Sequence, residues 1–316
     1  MEVEALFNRY MAERDDEEKN RAEQAKHDMD VSLSQDREDI HRKYEDVKQR
    51  WRYCNGGVAP IPGRFVEYDL VFGIGSTCYV SHLLDFHDLR LFSSPFEWSG
   101  GIYPVDFFTK PGVSRNTRFA EKIDALCSRF ENYLNPEDLV LYSAKTTGLE
   151  HHKVANMRTN IHFLHLFPVG ESVENAMPFV IEKMSRRIDN MMANMDRAGR
   201  IMVCWAHRLW DQIDWNDAPV TDDEIISAYK KLAEIYPDKT IDFVFFEHDG
   251  AKKEYEYDKI CVCEGAYRIR SNHFLTTDAY NYIKPRPQNR GALLCVDEML
   301  DNIKLTGVLN AGDGGI

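Results

Sequence analysis

The sequence predicts an α/β fold: a three-layer domain with a mainly parallel sheet flanked by helices, preceded by a charged N-terminal helix. Two observations point there. Short runs rich in Val, Ile and Phe alternate with longer segments of helical periodicity, the pattern of strands crossed over by helices. One such run, Leu70–Val71–Phe72, enters Gly73–Ile74–Gly75–Ser76–Thr77–Cys78 and then a short amphipathic stretch, a strand–turn–helix unit. With 316 residues and 43% hydrophobic content, the chain is long enough for one large core.

Residues 1–53 form a segment of their own. Half of the first fifty residues are charged and none is Gly or Pro, a composition that favours helix. Leu33, Ile40, Tyr44, Val47 and Trp51 make one stripe in its second half. The first reading is a solvated helix docked by its C-terminal half. The second is self-association or partner binding through residues 33–51. Gly56–Gly57 and Pro60–Ile61–Pro62–Gly63 then mark a linker before an α/β catalytic domain over 64–305.

Within that domain, strands are expected at 68–74, 139–145, 160–167, 200–207, 241–248 and 259–263. Helices are expected at 78–86, 117–133, 173–195, 222–236 and 292–303. The third helix carries a stripe of Met177, Ile181, Met184, Ile188 and Met191. The fourth opens with Thr221-Asp-Asp-Glu224, a capping box. Short apolar strands of this kind fit a parallel sheet buried on both faces, with ligands beyond the strands' carboxyl ends. The run 68–74 should then be a central strand. Residues 306–316 end in Ala-Gly-Asp-Gly-Gly-Ile and read as a flexible tail.

Composition narrows the function. A formal net charge of −13 argues against a general nucleic-acid binder and against docking on anionic lipid. Seven scattered cysteines, most of them in apolar runs, suggest reduced thiols and a cytoplasmic location. The N-terminus lacks the pattern of a secretory signal, and no run is long enough to span a bilayer.

The chemistry is expected at Cys78. After a glycine turn it would fall in the first turn of a helix, where free N–H groups and the dipole stabilise a thiolate. The alternative is a small hydrophobe packed behind the turn. A nucleophile needs a base. His162 and His165 are three apart in one strand and face opposite sides, so they do not share a metal. His165, nearer the strand's carboxyl end, is the preferred base; His207 is its rival or, instead, a substrate-binding residue. Glu97 would orient the base or accept a hydrogen bond, with Trp98 as a pocket wall; the alternative is a turn with aromatic anchors. Of Arg186–Arg187, one arginine can face solvent and the other, Arg187 by choice, an anion; the alternative is that both are surface charge. Gly75 and Ser76 supply backbone donors that suit an oxyanion or a phosphate.

Gly73-x-Gly75-x-x-Cys78 lacks the third glycine and the acidic residue of a dinucleotide fingerprint, so no cofactor is expected. No metal site is expected either. Cys261-x-Cys263 has no second pair, His151–His152 reads as a loop pair, and the aspartates around Trp215 lack a calcium-loop pattern.

Phe72-Gly-Ile-Gly-Ser-Thr-Cys78 followed by Leu89-Arg-Leu-Phe-Ser-Ser-Pro-Phe-Glu-Trp98 resembles a bacterial family of uncharacterised proteins known as papain-like cysteine peptidases. Its members have a Gly-Ser-x-Cys turn, a Pro-Phe-Asp-Trp block, a Phe-x-His-Asp strand and a helix with a double arginine. Here the later elements are Phe163-Leu-His165-Leu166 and Arg186-Arg187. Glu97 keeps the charge of the family's Asp, whereas Leu166 stands where an Asp tends to follow the histidine. The glycine turn is similar, too, to the first block of SGNH-type esterases. The resemblance implies a cysteine-dependent hydrolase or acyltransferase acting on a small-molecule, glycan or peptide substrate. Because such proteins occur among those of cell-surface glycan biosynthesis, it also implies an alternative. That alternative is a transferase holding a sugar-nucleotide phosphate at the Gly73–Cys78 turn, with Arg187 or Arg208 helping. A non-catalytic binding module is the third reading.

Overall fold

In the computed structural model, residues 64–75, 79–97, 99, 117–141, 151–206, 220–249, 251–252, 257–271 and 294–309 are described. The chain divides after Tyr53 into two units, and all described residues belong to the second. The expected N-terminal helix lies outside them.

The fold is α/β. Its main sheet has β2 (Leu70–Gly73), β6 (Arg200–Ala206), β7 (Thr240–His248) and β9 (Ala266–Ser271) side by side and parallel. Antiparallel β8 (Tyr257–Cys263) closes the far edge. In register, Leu70 faces Ile201 and Ile201 faces Ile241. Leu70, Phe72 and Ile74, with Ile201, Val203, Trp205, Ile241, Phe243 and Phe245, enter one core. That core also takes in α2 (Phe119–Cys127), α3 (Val173–Arg197) and α4 (Asp222–Ile235). Alternate residues of the same strands are buried too, and α1 (Tyr79–Phe86) packs on β2 and β6.

Among the described residues strand β2 is terminal in this order, not central as the sequence suggests. It is still apolar throughout, because all four of its residues are buried. A buried edge strand and a central strand read alike in sequence.

A second sheet corrects the expectation that 139–145 and 160–167 join the parallel one. β3 (Leu139–Leu141), β4 (His151–Asn156) and β5 (Ile161–Pro168) form an antiparallel sheet of their own. The β4–β5 turn is set by Asn156, whose Oδ1 accepts from the N–H groups of Arg158 and Thr159, each at 2.9 Å. Asn160 completes it in the left-handed region, φ 53°. His151–His152, which reads from sequence as a loop pair, therefore sits on a strand. Strand β9 is a further element that the apolar pattern does not show. Gly265, at φ +82°, makes the turn that reverses β8 into β9, and a Cβ there would meet Tyr229 at 2.8 Å.

The second predicted helix is shorter than expected. After Cys127, the residues Arg129, Phe130 and Asn132 adopt positive φ, and Phe130 donates its N–H to Ala125 at 2.7 Å. This reversal drops Phe130 and Tyr133 into the core. The Thr221 box forms as read: Thr221 Oγ1 accepts from Glu224 N–H, and the Glu224 carboxylate accepts from Thr221 N–H. A last helix, α5 (Leu294–Asp301), leads to β10 (Lys304–Leu305), which pairs in parallel with β1 (Glu67–Tyr68). Thr306 and Leu309, expected to begin a loose tail, are anchored instead. Thr306 Oγ1 donates to Asp69 at 2.6 Å, and Leu309 is buried.

Candidate functional site

The glycine turn follows β2. Ile74 donates its N–H to Cys204 O at 2.9 Å, which holds the chain against the end of β6. A Cβ on Gly73 would lie 2.5 Å from Val80 Cγ1, and one on Gly75 would lie 2.7 Å from Val80 Cγ2. Both glycines are therefore required by the close approach of α1. Cys78, Ser76, Trp98 and His207 lie outside the described residues, as does Arg208.

Lys122 is the site residue that the motifs do not show. Phe119, Lys122, Ile123 and Leu126 occupy one buried stripe of α2, so the lysine stands where an apolar side chain would be expected. Its ammonium donates to the carbonyl of Gly75 and, at 3.0 Å, to that of Ser99. It also lies 5.9 Å from the Trp205 ring centroid, within cation–π range. A cation on an otherwise apolar stripe is the signal by which sequence reasoning could have found it.

Residues 90–97, with Ser99, are held by a hydrogen-bond network of their own. Arg90 clamps the buried Glu97 with two hydrogen bonds, Nε to Oε1 at 2.9 Å and Nη2 to Oε2 at 2.8 Å. Ser94 N–H donates to the same Oε1 at 2.9 Å. Tyr133 donates its hydroxyl to Pro95 O at 3.0 Å, and Ser99 bridges to Phe163 of β5. Gly75, Ser99 and Glu97 are thus tied together through Lys122 and this turn. Glu97 is already held by Arg90, which defines its orientation.

Arg187 of α3 is near enough to Glu97, Arg90 and Tyr133 to interact with them electrostatically. Arg186 beside it is exposed, while Arg187 is half-buried, with its Nη1 buried and lacking a hydrogen-bond partner among the described residues. Burial lowers the pKa of its guanidinium; Glu97 opposes that shift and Arg90 reinforces it. It stays charged at neutral pH.

His165 lies on β5 of the antiparallel sheet, so the rule about carboxyl ends of parallel strands does not apply to it. Its neighbours are basic: His151, with ring centroids 5.5 Å apart, and the buried Lys153. Burial, then Lys153 and His151, push its pKa down to about 4. The imidazole is therefore neutral at neutral pH. His162 is fully buried on the same strand.

The remaining thiols divide by exposure. Burial pushes Cys204 up to about 12 and Cys127 up to about 11, so both stay protonated. Cys261 is exposed on the edge strand β8, unlike the buried thiol its apolar run suggests. Among the described residues, no group of three or more His, Cys, Asp or Glu could hold a metal ion, and no helix is long and apolar enough to cross a membrane. No family model, curated protein or solved structure matches the chain.

Proposed function

We propose that this chain is a cysteine-dependent hydrolase or acyltransferase of the papain-like kind it resembles, built on a three-layer α/β domain. Cys78 attacks a substrate carbonyl. His165 or His207 takes the thiol proton and returns it to the leaving group. Backbone N–H groups after the glycine turn stabilise the oxyanion. The observation that carries this reading is the Lys122 bridge. One buried ammonium ties Gly75, three residues before the nucleophile, to Ser99, next to the Pro95–Trp98 block. Two motifs separated in sequence therefore meet at one place. The free cysteines among the described residues fit a reducing compartment, for which the cytoplasm is our choice.

A panel of activated acyl esters, peptides and glycan esters tests the reading. Turnover lost in Cys78→Ser, with melting unchanged, supports it; turnover retained in that variant rejects it. The transferase alternative, with a sugar-nucleotide phosphate at the turn, draws support from the cation Arg187. It predicts nucleotide-sugar binding that survives Cys78→Ser.

A further inference from the structure

Arg187 occupies an unusual position on its helix. Val180, Met184 and Met191 form the buried face of α3, and Arg187 falls on that stripe while Arg186 points to solvent. A guanidinium so placed needs acceptors, because a buried donor without one is costly. None of the bonds to the neighbouring Glu97 comes from Arg187: Oε1 accepts from Arg90 Nε and Ser94 N–H, and Oε2 from Arg90 Nη2. The Tyr133 hydroxyl, also beside Arg187, donates its proton to Pro95 O. Arg90 and Arg187 thus stand beside Glu97, with Asp85 as a second, more exposed partner of Arg90, and Nη1 of Arg187 is still open among the described residues.

We infer that Arg187 recognises a singly charged oxyanion of the substrate, a carboxylate or a phosphodiester, seated against the Arg90–Glu97 pair. The planar guanidinium suits either group. The Glu97 carboxylate disfavours a dianion by repulsion. This inference rests on the site proposed above but not on its covalent step, since anion binding needs no thiolate.

The test is thermal melting of the full chain with sodium acetate, dimethyl phosphate or inorganic phosphate at constant ionic strength, with chloride as reference. Wild type, Arg186→Gln and Cys78→Ala should all be stabilised by one of the two monoanions. In Arg187→Gln the apparent affinity should fall at least about ten-fold, the loss of one charge-assisted contact. Arg187→Lys, which keeps the charge but not the fork, should lie between and serves if the glutamine variant does not fold. A response to acetate alone identifies a carboxylate, and one to dimethyl phosphate alone a phosphodiester. The inference is overturned if Arg187→Gln responds like wild type, if no anion stabilises the wild type, or if dianionic phosphate is preferred. A response that persists in Cys78→Ala while Cys78 proves inert would reject the covalent reading and leave this one standing.

Discussion

The ammonium of Lys122 donates to the carbonyl of Gly75, 47 residues earlier in the chain. That bond fixes the glycine turn from inside the core, and the second bond, to Ser99 O, fixes the facing turn to the same ammonium. Lys122 positions the glycine turn, which in the proposed reading leads into the nucleophile Cys78.

Replacing Lys122 by methionine keeps the volume and removes both bonds. Two buried carbonyls then lose their donor, which costs about 1–3 kcal/mol each, offset in part by no longer burying a charge. We expect a net loss of about 2 kcal/mol in chemical denaturation, together with slower alkylation of Cys78. Unchanged stability and unchanged reactivity would show that the bridge does not position the turn.

Gly73→Ala should lower stability by about 1–3 kcal/mol through overpacking, since the new Cβ meets Val80 at 2.5 Å. Val80→Ala should relieve this in the double variant. A double-mutant cycle from denaturant midpoints measures the coupling, and additivity would refute the contact as the cause.

The pH response of His165 has a definite sign. Its pKa is about 4 in the folded protein against an ordinary value of 6.5, so between those values the unfolded chain binds more protons. Stability should fall as pH drops from 6.5 towards 4 and be unaffected by this group above that window. His165→Gln should flatten part of the slope in pH-dependent melting. If His165 is the base, the acidic limb of the rate profile lies near 4 rather than near 6.5.

At the other end of β7, the fully buried Asp242 accepts from the Tyr68 hydroxyl at 2.7 Å and from the N–H and Nε of Arg64, each at 2.8 Å. Tyr68→Phe removes one of these bonds and should cost about 1 kcal/mol, whereas Asp242→Ala strands the partners and should cost about 3–5 kcal/mol. Equal effects in urea titrations would contradict this ranking.

Much of the fold can be read from local pattern. Each described helix lies within or close to its predicted span because capping at Thr221 and the stripe of α3 are local signals. Strand neighbours are set by tertiary packing, so the edge position of β2 and the separate sheet of β3, β4 and β5 are not legible. The Asn156–Asn160 turn and the Glu264–Gly265 turn do carry turn residues that would have revealed β4 and β9. At the site, Gly75, Glu97 and Arg187 are singled out by motif. Lys122 is not, because one lysine in a mixed helix looks solvated until its place on the apolar stripe is noticed.

The most direct test of the central claim is the alkylation rate of each cysteine, followed by mass spectrometry from neutral pH down to about pH 6, where an ordinary thiol is almost fully protonated. Cys261, exposed on β8, is the natural reference, and Cys204 and Cys127 should be slow because burial keeps them protonated. A nucleophilic Cys78 should react fastest of the seven cysteines and keep its lead as pH falls. Cys78 reacting more slowly than Cys261 at about pH 6 would contradict its role as the nucleophile.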